Sequence, residues 1–340
     1  MDVDIILGPD LTPAQLVELG QTAEAYGIRA LWASNYHTNW DAFLSLVPVA
    51  AATERLLLAP LAISPFEMHP LKIANSILTF NEMSAGRSLI AIGAGEGITD
   101  AIAAPKPGRI VRAVREAIEI VQGAVSNTLA SGYKGDIFNI VFPCDHSWAE
   151  AAGPGVYAAA MGSQMIAMGA RVADGMQMGD MPIERMPEVR ENIARGMSKR
   201  KEPPGDFHLG NFFGWHIKKD KASAYREARR EIAIRGRYLH NEFISHLLEP
   251  EQCQVIRDNF PAFIQAFRDR SGDIRGVPDE IVLPLIHGMT AAGDLNDLDR
   301  EIERFRQFES LGLTEISLRL HDDPMDALQI IGEHVVPALR

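Results

Sequence analysis

Short apolar runs and helical repeats alternate from the first residues of the chain. VDIIL (3–7) is almost continuously apolar, as a strand covered on both faces should be. Thr12 then stands where an N-cap is needed, with Pro13 at the first helical position and Gln15 three residues after the cap, which predicts a helix start. Leu16, Leu19, Ala23 and Tyr26 continue at helical spacing and Gly27 ends the element. The unit recurs as strand ALWAS (30–34) with a helix through AFLSLVPVAAAT, then as strand LLLAPLAI (56–63) with a helix from Pro70 through Met83. A fourth copy is strand SLIAIG (88–93) with helix VRAVREAIEIVQGAV (111–125).

After an irregular stretch at 126–154, rich in Gly, Asn, Pro and Asp, the alternation resumes. GVYAAA (155–160) precedes a helix over 164–172, and GMQMG (175–179) precedes one near 183–196. FHLGNFFGWHI (207–217) leads into a long helix beginning near Lys221. A second irregular region, roughly 249–290, separates these from a helix over 296–310, the strand EISLRL (315–320) and a last helix from Pro324. Eight buried strands, each followed by a helix, predict a (β/α)8 TIM barrel. It is expected to form a single domain over 1–340, with insertions near 126–154 and 249–290. A doubly wound sheet would need a glycine-rich turn after its first strand, and ILGPDLT has none.

Charge narrows the choice of partner. The chain carries 45 acids against 33 bases, a net −12, so a nucleic acid or an anionic membrane would have to find a local exception to the overall field. A small-molecule substrate is expected instead. Cys144 and Cys253 are far apart and form no C-x-x-C, which fits a reducing compartment. MDVDIILGPD is acidic and enters a strand directly, without the basic region and apolar core of a signal peptide, so a cytoplasmic location is expected. LLLAPLAISPF is too short and too proline-broken to span a bilayer.

In a barrel, reactive groups stand just after the C-terminal ends of strands. That rule picks out Asn35, Tyr36, His37 and Trp40 after the second strand, and Ser64 and Glu67 after the third. It adds Ala94, Gly95 and Glu96 after the fourth, Met161, Gly162 and Ser163 after the fifth, and Gly179 and Asp180 after the sixth. SLIAIGAGEG has three glycines spaced two apart, but Ile98 stands where a dinucleotide-binding turn needs its third glycine. Either these glycines cradle a ligand or they let a strand end turn sharply. AAAMGSQ (158–164) opens a helix with small residues and free amides, the physics of a phosphate site, although close packing would select the same residues. The methionines at 161, 165, 168, 176, 178 and 181 suit adaptable core packing or a lining against a flat heterocycle. No metal is expected: H-E-x-x-H is absent, and His240 with His246 is off the i, i+4 spacing.

AEAYGIRALWASNYHTNW, AAATERLLLAPLAISPFEMHPLKIA, SAGRSLIAIGAGEG and VYAAAMGSQMIAMGARVADGMQMG, in that order, resemble the luciferase-like flavin and deazaflavin oxidoreductases, and most of all the members dependent on coenzyme F420. The resemblance is good over residues 1 to about 180. It implies a barrel mouth that holds the isoalloxazine-type ring, with a bulged third strand and a non-proline cis peptide near Leu61 and Ala62 behind it. It implies Gly95 and Glu96 beside the ring, Asn35, Trp40 and Ser64 at the same mouth, and the amides of Met161, Gly162, Ser163 and Gln164 around the cofactor phosphate. A homo-oligomer, a dimer, is implied as well.

One departure from the family bears on the reaction. Alcohol-oxidising F420 relatives have Asp-His after the second strand, where this chain has Asn35 and Tyr36; Trp40 is retained. His37 is one residue out of place for a base. A tyrosine, with an ordinary pKa of about 10, is a poor base at neutral pH and a usable proton donor, which favours a reductive direction with Tyr36, Glu96 or His37 as the proton source. Three readings remain: an F420-dependent oxidoreductase acting on a small organic substrate, an FMN-dependent monooxygenase on the same barrel, and a cofactor-binding protein without turnover.

Overall fold

Thr12 caps the first helix. Its hydroxyl accepts the Gln15 N–H at 3.4 Å while the Gln15 side chain accepts the Thr12 N–H at 2.9 Å, and Gly27 closes the helix at φ 77°. A cap of this kind contributes about 1 kcal/mol. The structure, a computed structural model, describes residues 1–95, 99, 101, 108–202, 205–234, 239 and 241–340. Its first half is four strand–helix units: β1 (Asp2–Leu7), α1 (Pro13–Tyr26), β2 (Ala30–Ser34), α2 (Val47–Ala52), β3 (Leu57–Leu61), α3 (Pro70–Met83), β4 (Leu89–Ile92) and α4 (Ile110–Val125). Next come β5 (Gly155–Ala159), α5 (Ser163–Val172), β6 (Gly175–Gly179), α6 (Met186–Met197), β7 (His208–Ile217) and α7 (Lys221–Ile234).

All ladders of the main sheet are parallel, and β1 pairs with the last strand, β9 (Glu315–Arg319). β3 and β4 close the circle through bridges at Leu58–Ser88 and Ile63–Ile92. The fold is a TIM barrel of the kind the strand count predicts, with one strand more. β8 (Thr290–Gly293) pairs with Gly214–Ile217 of β7, while β9 pairs with Gly210–Gly214 of the same strand. Ten residues long, β7 serves one neighbour with each half. The sequence TAAG hides β8 because small residues carry almost no strand signal.

The two irregular regions differ. Residues 126–154 hold a 3-10 turn at Thr128–Ser131 and a two-residue antiparallel pairing, Tyr133–Lys134 with Asn139–Ile140. Its turn is tied down by the buried Glu116 carboxylate, which accepts the N–H groups of Asp136, Ile137 and Phe138 at 2.9–3.0 Å. Residues 249–290 are largely helical: α8 (Pro250–Asp258), α9 (Phe260–Arg268) and α10 (Asp279–Met289). They pack with α7 around an apolar cluster that includes Ile232, Phe263 and Leu285. The chain ends with α11 (Leu298–Ser310), β9 and α12 (Pro324–Ile330), which passes through a π-helical turn over 331–335. Among the described residues no helix is long and apolar enough to cross a membrane.

Strand alternation divides the barrel interior into layers. At the bottom, Arg29 binds Asp4 at 2.6 Å and Glu315 at 2.9 Å, and the Trp32 indole N–H donates to Asp4 at 2.9 Å. Burial pushes the Glu315 carboxyl up, against the pull of His208 and Arg29. Above this floor Ile6, Ala30, Trp32, Ala59, Ala91 and Tyr157 pack together. Of the methionines between 161 and 181, Met168, Met176, Met178 and Met181 are buried in the helix-side core.

Candidate active site

The mouth is built from strand ends that the sequence brings together in two groups. In the first, the Asn35 amide N–H and side chain tie β2 to β3: the backbone N–H donates to Leu61 O at 2.7 Å, and Nδ2 donates to Ala62 O at 3.2 Å and to Glu67 Oε1 at 2.8 Å. Glu67 Oε1 also accepts the Ser64 N–H at 2.6 Å. Burial pushes the Glu67 carboxyl up, against the lowering pull of those two hydrogen bonds. The Leu61–Ala62 peptide is cis and non-proline, at the place the resemblance implies.

Glycines keep this corner thin. A Cβ on Gly95, which has φ 66°, would lie 2.6 Å from Ser64 Oγ, and Ser64 Oγ donates to Ala94 O at 2.9 Å. A Cβ on Gly93 would fall 2.9 Å from Ala159 Cβ and 3.5 Å from Ala62 Cβ. The ends of β3, β4 and β5 therefore meet through Ala62, Gly93 and Ala159, and side-chain bulk is missing from the top of this wall. Glu96 lies outside the described residues, as does His240.

In the second group, Met161 and Gly162 lead into α5 at Ser163, with Gly162 as N-cap at φ −81°, ψ 154°. A Cβ there would meet nothing within 4 Å. Space thus opens in front of amides that point along the helix axis, where an anion is favoured. Gln164 is exposed on the first turn.

Tyr36, His37 and Trp40 are exposed on the segment after β2. Tyr36 has a partner that the sequence reading did not pick out: Arg319, at the end of β9. Its guanidinium donates to the Tyr36 hydroxyl at 3.2 Å and lies 5.8 Å from the ring centroid. Glu315, Ser317 and Arg319 alternate along β9; Glu315 and Ser317 bind Arg29 and Gln177 inside the barrel, so Arg319 belongs to the inner face at its top. The nearby Tyr36, Glu231 and Asp180 raise its affinity for the proton against the cost of burial.

Two histidines complete the rim. His216, near the end of β7, meets Glu227 at 2.8 Å, and His321, just past β9, meets Glu231 at 3.4 Å. Their rings stack 5.0 Å apart at 18°. Both carboxylates come from α7, and Lys218 and Arg230 add ion pairs at 2.9 Å and 2.8 Å. The strand-end rule carried on to the last two strands of the circle would have found His216, Arg319 and His321.

A barrel with a small-residue wall, a helix N-terminus facing open space and a rim of proton-carrying groups defines an enzyme-like site at the C-terminal mouth. The chain belongs to the luciferase-like monooxygenase family, whose model matches residues 3–315. Over 338 residues it is 25% identical to 5,10-methylenetetrahydromethanopterin reductase of Archaeoglobus fulgidus, covering 98% of each chain. In fold it is similar to the coenzyme F420-dependent tetrahydromethanopterin reductase of Methanopyrus kandleri, with a TM-score of 0.81 at 19% identity over 100% of this chain and 99% of that one. It is also similar to an F420-dependent secondary alcohol dehydrogenase solved with an F420–acetone adduct, with a TM-score of 0.74 at 16% identity over 100% and 99%.

Proposed function

We propose that this chain is an F420-dependent oxidoreductase that reduces a small organic substrate at the barrel mouth. The full-length likeness to a reductase and to a dehydrogenase that are F420-dependent supports the cofactor, and the residues present fit it. The wall at Ala62, Gly93 and Ala159 carries only small side chains, packed so closely that a Cβ on Gly93 would press on Ala159, and a flat ring could lie against it. The open N-terminus of α5 suits the cofactor's phosphate. Bound there, the cofactor supplies hydride chemistry.

The observation that carries the direction is the Tyr36–Arg319 pair. Tyr36 stands where alcohol-oxidising relatives have a histidine base, and its hydroxyl can give a proton to a substrate atom that gains a hydride. The Arg319 N–H already donates to that oxygen and stabilises the charge it acquires as the proton leaves. Arg319 Nε is buried without a hydrogen-bond partner. The test is titration of the purified protein with F420, followed by fluorescence, and then anaerobic oxidation of reduced F420 with candidate acceptors. Failure to bind F420 would sink the proposal. The family's own description as monooxygenases supports one competing reading, an FMN enzyme; oxygen consumption with reduced FMN and substrate, and none with F420, would favour it. We further propose a homo-oligomer in the cytoplasm; a monomeric mass by light scattering would overturn the first part.

A further inference from the structure

Toward the mouth, the barrel interior changes from closed to accessible. Tyr157, Gln177 and Ser317 face inward and are buried. Farther up, Leu61 of β3, Ala159 of β5 and Phe212 of β7 are half-buried, and all three pack on the interior cluster of Trp32 and Tyr157. Phe213 and Trp215, which follow in β7, show how that strand is turned: both lie in the helix-side core, with the Phe213 ring 5.5 Å from that of Phe308. Phe212 therefore points inward. Its main chain is paired on both sides, with β6 and with β9, so the exposed part of Phe212 is its ring. Because the layer beneath is buried, that ring opens toward the mouth.

Two glycines fix what the ring borders. Gly179, the last residue of β6, pairs with Phe212, and a Cβ on it would lie 2.5 Å from ring Cε1 and 2.8 Å from Cζ. The ring thus lies over Gly179 and cannot turn further toward β6. On the other side, β9 pairs Ser317 with Phe212 and Arg319 with Gly214. Phe212 and Arg319 are one inward step and one strand apart, about 8 Å between Cα atoms, and Gly214 puts no side chain between them. The ring therefore borders the same small space as the Tyr36–Arg319 pair. In the circle of eight strands, β7 stands opposite β3, which carries part of the small-residue wall.

We infer that Phe212 is a specificity-determining residue: its ring sets the size of the substrate and selects one that carries an apolar group beside the atom that is reduced. This rests on the F420 reading. A substrate whose polar atom meets the Tyr36 hydroxyl has its body over Phe212, where it finds dispersion contact and no hydrogen-bonding partner. A ketone with a cyclic or short alkyl body fits. A densely hydroxylated substrate would set its hydroxyls against the ring without partners, which is costly. In the reduction the carbonyl carbon gains a hydride from reduced F420, which is thereby oxidised, and the oxygen gains a proton, giving the alcohol.

Acetone, cyclohexanone and 2-decalone serve as probes of increasing size. Their affinities are measured by calorimetry on the F420-bound protein, and their kcat/KM values in anaerobic oxidation of reduced F420. Cyclohexanone should lead in the wild type. Phe212→Ala should move the optimum to 2-decalone and Phe212→Trp to acetone, each changing the ratio between neighbouring probes about tenfold. Gly179→Ala, whose Cβ pushes the ring into the pocket, should act as Phe212→Trp does. Phe212→Leu, the mildest change to the packing, should shift the order in the same direction as Phe212→Ala. F420 affinity by fluorescence titration should stay at the wild-type value in all four. An unchanged probe order in Phe212→Ala and Phe212→Leu would overturn the inference, and so would a wild-type protein that binds F420 and none of the ketones; both leave the F420 reading standing. A parallel loss of F420 affinity would also overturn it, because the ring would then belong to the cofactor's own contacts. Failure of F420 to bind the wild type would remove both readings together.

Discussion

Gly162→Glu places a carboxylate directly in front of the α5 amides. The backbone there, at φ −81° and ψ 154°, is extended and open to any residue, and a Cβ meets nothing within 4 Å. Only the modest N-cap advantage of glycine is lost, about 1 kcal/mol or less, so the melting midpoint should shift by no more than roughly 2–4 °C. Binding should respond far more. A carboxylate about 5 Å from a phosphate charge, at an effective dielectric of about 40, costs roughly 1.7 kcal/mol, and the favourable helix N-terminus is partly neutralised as well. Cofactor affinity should therefore fall about 20- to 100-fold, with the loss shrinking as salt is added. Gly162→Gln is the control, matching the size without the charge, and should lose only a few fold. The assay is fluorescence titration of F420 at two ionic strengths, with thermal melts of each variant. Wild-type affinity in Gly162→Glu, or an equal loss in Gly162→Gln, would refute the placement of an anion at this turn.

The two glycine positions should behave oppositely. Gly95→Ala combines a left-handed φ of 66° with a clash against Ser64, so it should destabilise the fold by about 2–4 kcal/mol in urea titrations; Ser64→Gly in the same chain should restore part of that, and a loss below about 1 kcal/mol would contradict the geometry. Tyr36→Phe keeps the ring and removes the hydroxyl that accepts from Arg319. Single-turnover oxidation of reduced cofactor should slow by about 10²- to 10⁴-fold with binding preserved, and equal rates would remove Tyr36 from the mechanism. The hydrogen bond to Glu315 raises the His208 pKa. The stability this adds is fully present below the ordinary value of about 6.5 and is lost as pH rises through the raised folded value. His208→Gln should flatten that slope in urea midpoints measured from about pH 6 to pH 9, and an unchanged slope would assign it elsewhere.

The fold was legible because its signals are local and repeated. Thr12, Pro13 and Gln15 spell a helix start within four residues, and the buried strands ALWAS and GMQMG have the bounds the hydrophobic pattern predicts. TAAG was not legible as β8, because its pairing is fixed by the far half of β7 rather than by its own side chains. The helices of 249–290 were obscured by turn residues between short segments. At the site, strand-end position was enough to single out Asn35, Tyr36, Ser64 and Gly162. The dependence of Tyr36 on Arg319 spans 283 positions in sequence, and no local pattern encodes it.

The two ends of the barrel divide the work. At the bottom, Asp4, Arg29, Glu315 and His208 form ion pairs that join β1, the start of β2, β7 and β9. Such a network fixes strand register, since removing one partner strands a buried charge. At the top the same strands end in small residues on one side and in Tyr36, Arg319, His216 and His321 on the other. The wall at β3 to β5 is built of small side chains, and Tyr36, Arg319, His216 and His321 stand on the arc of β2, β9 and β7. A ring against the first arc and a proton source on the second would face a substrate from two sides, which is the arrangement hydride and proton delivery to adjacent atoms requires. α7 holds both histidines through Glu227 and Glu231, so this arc depends on a helix packed against the 249–290 region. If the proposed function holds, substitutions in that region should alter substrate preference and leave cofactor affinity, read by fluorescence titration, unchanged; a parallel loss of cofactor affinity would contradict this division.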